Sequence, residues 1–180
     1  MKKHTVNTRK ICFCAVISAL ALVAFVLEQL LPPLFLPGAK LGISNVFVLF
    51  AIFYLGKEYG FAVFLVKVLL GSVFSGNVSA LIYSLPSGLL AVATEMLLSY
   101  RDKWFSVTAI SVLAGVIHLI SQNVIFCLIY TSYEYLYFLP YFMLIGVLSG
   151  AVVGVIVSLA LKYIPARIIE CEKNKTEDIN

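Results

Sequence analysis

The chain has few charged residues and lacks several residue groups on which soluble enzymes rely. Only 12% of its 180 residues are charged, against about 25% in an ordinary soluble domain. Its only aspartates are Asp102 and Asp178, so it has no aspartate cluster of the kind that holds Mg²⁺. It also has no P-loop for ATP hydrolysis. Its four cysteines form no C-x-x-C pair, and we expect neither a bound metal nor another cofactor.

Hydrophobic residues make up 62% of the chain and fall into six long stretches. A helix needs about 20 mostly apolar residues to cross a bilayer core about 30 Å thick. Helices also satisfy their own backbone hydrogen bonds in lipid. The pattern therefore predicts an all-α, polytopic membrane protein with six transmembrane helices. The predicted spans are residues 11–31, 43–55, 61–74, 80–100, 106–130 and 137–164.

The basic residues predict the orientation of these spans. Eleven of the thirteen lie on one side of the membrane if the spans alternate in direction, and such an excess marks the cytoplasmic side. We expect a basic cytoplasmic N-terminus (1–10), a six-helix domain (11–164) and a polar cytoplasmic tail (165–180). The protein is predicted to be a multi-pass protein of a bacterial cytoplasmic membrane. Because the charges flank separate spans and form no single face, we expect no nucleic-acid partner.

Polar side chains at membrane depth are costly and usually face a cavity or a partner. Four neighbouring stretches place such groups at one depth, just below the outer surface. His118 and Gln122 are four residues apart and so share one helical face. This pattern favours an outward-facing binding pocket, although hydrogen bonds that only hold the helices together would also explain it. The candidate substrate-binding residues are Lys40, Asn45, Asn77, Ser79, Tyr83, His118, Gln122 and Asn123.

Two charged residues lie deeper in the predicted spans, and two alanines stand out on the first span. Lys67 and Glu95 could pair with each other, because a buried charge requires a partner; alternatively, Lys67 extends its ammonium toward the membrane surface. Neither is among the candidate pocket residues. Ala15 and Ala19 are four residues apart, a spacing that lets another helix approach closely. That helix could belong to this chain or to a partner.

Three ordered motifs resemble those of a family of small bacterial membrane proteins. The first is Pro-Gly-Ala-Lys-Leu-Gly-Ile-Ser-Asn at residues 37–45, and the second combines Ser-Gly-Asn-Val-Ser at 75–79 with Tyr-Ser-Leu at 83–85 and Gly88. The third contains His118 and Gln122, with Leu119 where the family usually has asparagine. The chain thus resembles heptaprenyl diphosphate synthase component I, also called the Gx transporter family.

The same family is similar in architecture to the substrate-binding S components of energy-coupling-factor (ECF) vitamin transporters. This resemblance implies six helices with both termini inside and an outward-opening pocket covered by the loop between the first two helices. It also implies that Ala15 and Ala19 dock on a membrane coupling subunit that carries two ATPase subunits.

We therefore expect a non-enzymatic subunit that binds a small organic solute for an ATP-driven importer. The solute is expected to be anionic, or to resemble a vitamin, an isoprenoid or a quinone precursor. Lys40 would bind its anionic group, Tyr83 would offer a flat face, and amides and His118 would orient it. One alternative is a non-catalytic membrane partner of a soluble polyprenyl diphosphate synthase. Another is a proton-coupled secondary transporter that uses Glu95, Lys67 and His118.

Overall fold

A computed structural model of the chain describes residues 8–30, 42–76, 81–101, 105–131 and 133–164. These residues form an all-helical bundle, and no strand occurs within those ranges. The α-helices are α1 (Thr8–Leu30), α2 (Ile43–Tyr54), α3 (Lys57–Phe74), α4 (Leu81–Leu98), α5 (Val107–Tyr130) and α6 (Leu139–Tyr163). Short 3₁₀-helices occupy Ser99–Arg101 and Tyr133–Phe138.

The predicted all-α, membrane-type bundle is confirmed, with one α-helix in each predicted stretch, whereas the number of six membrane spans stays a prediction. Four helical stretches in the described ranges are long and apolar enough to cross a membrane: Thr8–Gln29, Leu81–Leu98, Val107–Tyr130 and Tyr133–Tyr163. Helix α2 has only 12 residues, which corresponds to about 18 Å. Helix α3 has 18 residues but includes Lys57, Glu58 and Lys67. These two helices fall short of an ordinary span by length or by polarity.

Local sequence features explain where several helices begin and end. Ser106 caps α5, because its hydroxyl accepts a hydrogen bond from the Ala109 amide at 3.1 Å. The residue after α5, Thr131, is in the left-handed region at φ 50°. Pro140 lies in the first turn of α6, where a missing amide costs nothing. Helix α3 begins at Lys57, four residues before the predicted span. The prediction followed the apolar residues, whereas the polar first turn of this helix is helical as well.

The helices pack as two groups of three. Helices α1, α2 and α3 contact one another, whereas α5 packs against both α4 and α6. Contacts of α2 with α6 and of α3 with α4 join the groups. Helix α2 provides much of the core, including the fully buried Leu49 and Ala51. The outer surface of the bundle is apolar, with exposed side chains such as Leu27 and Leu97, as expected for contact with lipid.

Glycines bring α5 and α6 into backbone contact. Gly146, Gly150 and Gly154 follow one another at four-residue intervals along α6. A Cβ atom added to Gly150 would lie only 2.7 Å from the Ser111 carbonyl oxygen. Such spacing of small residues lets helices approach closely in membranes, so the α5–α6 pair is the most closely packed part of the bundle.

Candidate functional site: a polar cavity between the six helices

A cavity lies between the two groups of helices, and residues from all six α-helices line it. The space amounts to about 870 Å³, part of which opens to the surroundings. Apolar side chains such as Phe25, Phe64 and Val92 form much of its wall. Ten of the described residues that line it are polar. The polar residues are Glu28, Ser44, Asn45, Lys67, Ser84, Glu95, Ser111, His118, Gln122 and Ser149.

Glu28 of α1 caps the first turn of α2 at one wall of this cavity. Its carboxylate accepts hydrogen bonds from the Ile43 amide at 2.5 Å and from the Ser44 hydroxyl at 2.8 Å. The Ser44 amide also points to it, at 3.4 Å. Amides in the first turn of a helix have no partner within the helix, and a negative charge there is favoured by the helix dipole. Glu28 is only 7% exposed, so its charge is compensated within the protein.

Lys67 of α3 also reaches the first turn of α2. Its ammonium donates a hydrogen bond to the side-chain oxygen of Asn45 at 2.5 Å and lies 6.0 Å from the centre of the Phe64 ring. Lys67 is 4% exposed, so it does not extend to the membrane surface. Helices α1 and α3 therefore hold α2 by charged side chains that line the cavity.

Glu95 of α4 contributes a second buried carboxylate. It is 6% exposed and lines the same cavity as Lys67. Its Oε2 atom is buried and has no hydrogen-bond partner among the described residues. A buried acceptor without a donor is energetically unfavourable. Glu95 thus has an unused hydrogen-bonding position in a wall of the cavity.

Helix α5 presents one polar face to the cavity. Ser111, His118 and Gln122 follow at intervals of seven and four residues, which places them along one side of the helix. Gln122 is buried and adjoins a second, smaller space of about 350 Å³. One amide side chain therefore borders both spaces.

The second space is aromatic. Phe126 is at its centre, with ring contacts to Tyr83 at 5.7 Å and to Tyr135 at 5.1 Å, both edge-to-face. Asn123 lines it as well, but its side chain is engaged within the protein. Its amide donates to the Tyr135 carbonyl at 3.1 Å, and its oxygen accepts from the Cys127 thiol at 3.4 Å. Asn123 therefore fastens the 3₁₀-helix Tyr133–Phe138 to α5.

Comparison with known proteins identifies the family. The sequence profile described as heptaprenyl diphosphate synthase component I matches residues 17–160. The chain belongs to the heptaprenyl diphosphate synthase component I family. No curated protein and no solved structure matches the chain. The matched range begins within α1 and ends within α6, so it includes every residue that lines the cavity.

The fold brings together part of the predicted site. Asn45, His118 and Gln122 line the main cavity, and Tyr83 and Asn123 line the aromatic space beside it. Ala15 and Ala19 are exposed on the surface of α1. Lys40, Asn77 and Ser79 lie outside the described residues, and their predicted roles stay predictions.

Lys67 and Glu95 were not among the predicted pocket residues, yet both line the main cavity. The predicted pocket residues all lie just below the outer surface of the membrane, whereas Lys67 and Glu95 lie deeper in their spans and were left out for that reason. A stronger signal was available, since an ionisable residue within a span usually faces the interior of the bundle. No group of three histidine, cysteine, aspartate or glutamate side chains comes together as a metal site within the described ranges.

Proposed function

We propose that this protein is the solute-binding subunit of an ATP-driven importer of the ECF type in a bacterial cytoplasmic membrane. The observation that supports this proposal is the cavity, to which all six helices contribute polar side chains. Small-molecule sites are commonly concave and mostly apolar, with a few converging polar groups. Hydrogen bonds between helices would suffice for stability alone and require no empty space.

In this proposal, a small organic solute enters from the outer side and is oriented by His118, Gln122 and Asn45. Tyr83 offers an aromatic face in the adjoining space, while Lys40, Asn77 and Ser79 belong to connecting segments on the predicted outer side. Lys40 would bind an anionic group of the solute.

The proposed coupling surface is on α1. Ala15 and Ala19 are exposed on one side of this helix, and small side chains allow a partner helix to approach closely. A membrane coupling subunit with two ATPase subunits would bind there. Replacing both alanines by leucine should abolish co-purification of that complex, while Ala62→Leu on the exposed face of α3 should not.

Two alanines of α4 allow a matched test of solute binding. Ala91 lines the cavity and is buried, whereas Ala93 is exposed on the same helix. Native mass spectrometry of the full-length protein purified from its membrane should show a bound small molecule. Ala91→Leu should lose it because the added atoms occupy the cavity, and Ala93→Leu should retain it. A molecule that persists in both variants would place the binding site elsewhere.

The family description favours a second candidate, a non-catalytic membrane partner of a soluble prenyl diphosphate synthase. The two candidates predict different partners for the tagged full-length protein. An importer subunit should co-purify with a membrane protein and ATPases in an Ala15- and Ala19-dependent manner. A synthase component should instead co-purify with a soluble, aspartate-rich enzyme that does not depend on these alanines.

The shared position of Glu95, Lys67 and His118 in the cavity favours a third candidate, proton-coupled transport. Ionisable residues inside membrane bundles often form proton relays. Uptake that survives ATP depletion but stops with a protonophore would support this candidate. Uptake that stops on ATP depletion while the membrane potential is maintained would support the importer.

A further inference from the structure

The described lining of the cavity has more carboxyl groups than ammonium groups. It contains the carboxylates of Glu28 and Glu95 but only one ammonium, that of Lys67. The two carboxylates differ in their surroundings. Glu28 accepts hydrogen bonds from the first turn of α2, so the protein already supplies its donors.

Glu95 is the carboxylate that the protein does not fully satisfy. Its Oε2 is buried without a hydrogen-bond partner among the residues described. Lys67 lines the same cavity, and its ammonium donates a hydrogen bond to Asn45. A buried carboxylate with an open acceptor position can be stabilised by a donor from a bound molecule, and a charged donor gives the stronger bond.

The remaining walls suit a cation with an apolar body. The Phe25 and Phe64 side chains line the same cavity, and aromatic faces attract cations. Ser111 and Gln122 add further hydrogen-bonding groups on α5, while Val48 and Val92 supply apolar contact. An anionic group at this depth would instead meet two carboxylates and a single lysine.

We propose that the cavity binds its solute through a protonated amine or another hydrogen-bond-donating cationic nitrogen that faces Glu95. This inference rests on the proposed function, because it assumes that the cavity holds a small organic solute. It concerns only the end of the solute that reaches Glu95.

Three probes of similar size and different charge test this inference. Benzylamine is cationic at neutral pH, benzyl alcohol is neutral and benzoate is anionic. The thermal unfolding midpoint of the full-length protein in detergent micelles is measured over a concentration series of each, which yields an apparent Kd. Benzylamine should bind more tightly than either of the other probes by about tenfold or more.

Two glutamate variants show whether Glu95 causes this preference. Glu95→Gln removes the charge at nearly constant shape and should weaken benzylamine binding by about tenfold. Glu58→Gln is the matched control, because Glu58 is exposed in the first turn of α3. It should leave benzylamine binding unchanged, which would show that the net charge of the protein in its micelle does not determine the affinity.

A variant of Lys67 should act in the opposite direction. Lys67→Met removes a like charge from the cavity, so benzylamine should bind more tightly to the folded variant. Equal or tighter binding of benzoate to the wild type, an unchanged affinity in Glu95→Gln, or no binding of any probe would each overturn the inference.

The proposed function is judged separately by the molecule that co-purifies with the protein and by its loss in Ala91→Leu. If that molecule is present but benzoate is the preferred probe, solute binding holds and only the cationic assignment fails. If no molecule co-purifies and no probe binds, both fail.

Discussion

The carboxylate of Glu28 accepts a hydrogen bond from the hydroxyl of Ser44 at 2.8 Å, which joins the end of α1 to the beginning of α2. The same carboxylate accepts from the amide of Ile43. These bonds connect two helices across a segment of the chain that separates them by 12 residues in sequence. The first turn of α2 is thus capped by the Glu28 side chain of another helix, since the N-cap residue Gly42 has no side chain that could accept a hydrogen bond.

Replacement of Glu28 should therefore destabilise the protein. Glu28→Ala leaves buried amides of α2 without an acceptor and is expected to lower the free energy of unfolding by about 1–3 kcal/mol. Unfolding in mixed detergent micelles measures this loss. Glu58→Ala removes an exposed carboxylate and serves as the control, with little expected change. Equal stability of both variants would show that the cap is dispensable.

Lys67 and Asn45 should be energetically coupled, because the lysine donates directly to the asparagine. A double-mutant cycle with Lys67→Met and Asn45→Leu separates the interaction free energy of these two side chains from the other effects of each substitution. We expect an interaction free energy of about 0.5–3 kcal/mol, measured by the same unfolding assay. Strictly additive effects would contradict the bond.

Close approach of α5 and α6 predicts a strong effect of even one methyl group at Gly150. The added Cβ would meet the backbone of Ser111 and Val112 at 2.7 Å, and the helices would have to separate. Gly150→Ala should cost about 1–3 kcal/mol of unfolding free energy. Val152→Leu adds bulk at an exposed position of the same helix and should be tolerated; comparable losses in both variants would refute the packing argument.

Two adjacent amides of α5 should have different roles. Gln122 borders both spaces, so Gln122→Leu should reduce retention of the co-purifying small molecule with little loss of stability. Asn123 is bonded to Tyr135, and Asn123→Leu should lower the thermal unfolding midpoint. Native mass spectrometry and thermal unfolding measure the two effects. Loss of the small molecule in Asn123→Leu and loss of stability in Gln122→Leu would contradict both assigned roles.

The distribution of basic residues predicts the topology and can be tested by reporter fusions. Alkaline phosphatase should be active when fused after Asn77 or Ser132 and inactive after Gly56 or Asp102. Green fluorescent protein should show the opposite pattern at the same positions. Activity of the phosphatase after Gly56 would indicate that α2 does not cross the membrane.

Hydropathy was sufficient to predict the helices but not their orientation about their own axes. Each apolar stretch became an α-helix, because helix formation in lipid depends on composition and length. Boundaries shifted where polar residues extend a helix, as at Lys57.

The site was predicted only in part for the same reason. Depth can be read from position along a span, so Asn45 and Gln122 were identified. The direction in which Glu95 points depends on how α4 packs against its neighbours, and the sequence does not state this. The spacing of Gly146, Gly150 and Gly154 was readable, and it indicates where helices meet closely.

The cavity lies at the boundary between helices α1–α3 and α4–α6. Helix α2 contacts α6 and helix α3 contacts α4 across this boundary, where the ring of Phe64 lies over Gly88. A small rotation of one group of helices against the other would change the width of the cavity and leave the packing within each group intact. Such a rotation would give a small molecule access to the cavity without the unwinding of a helix.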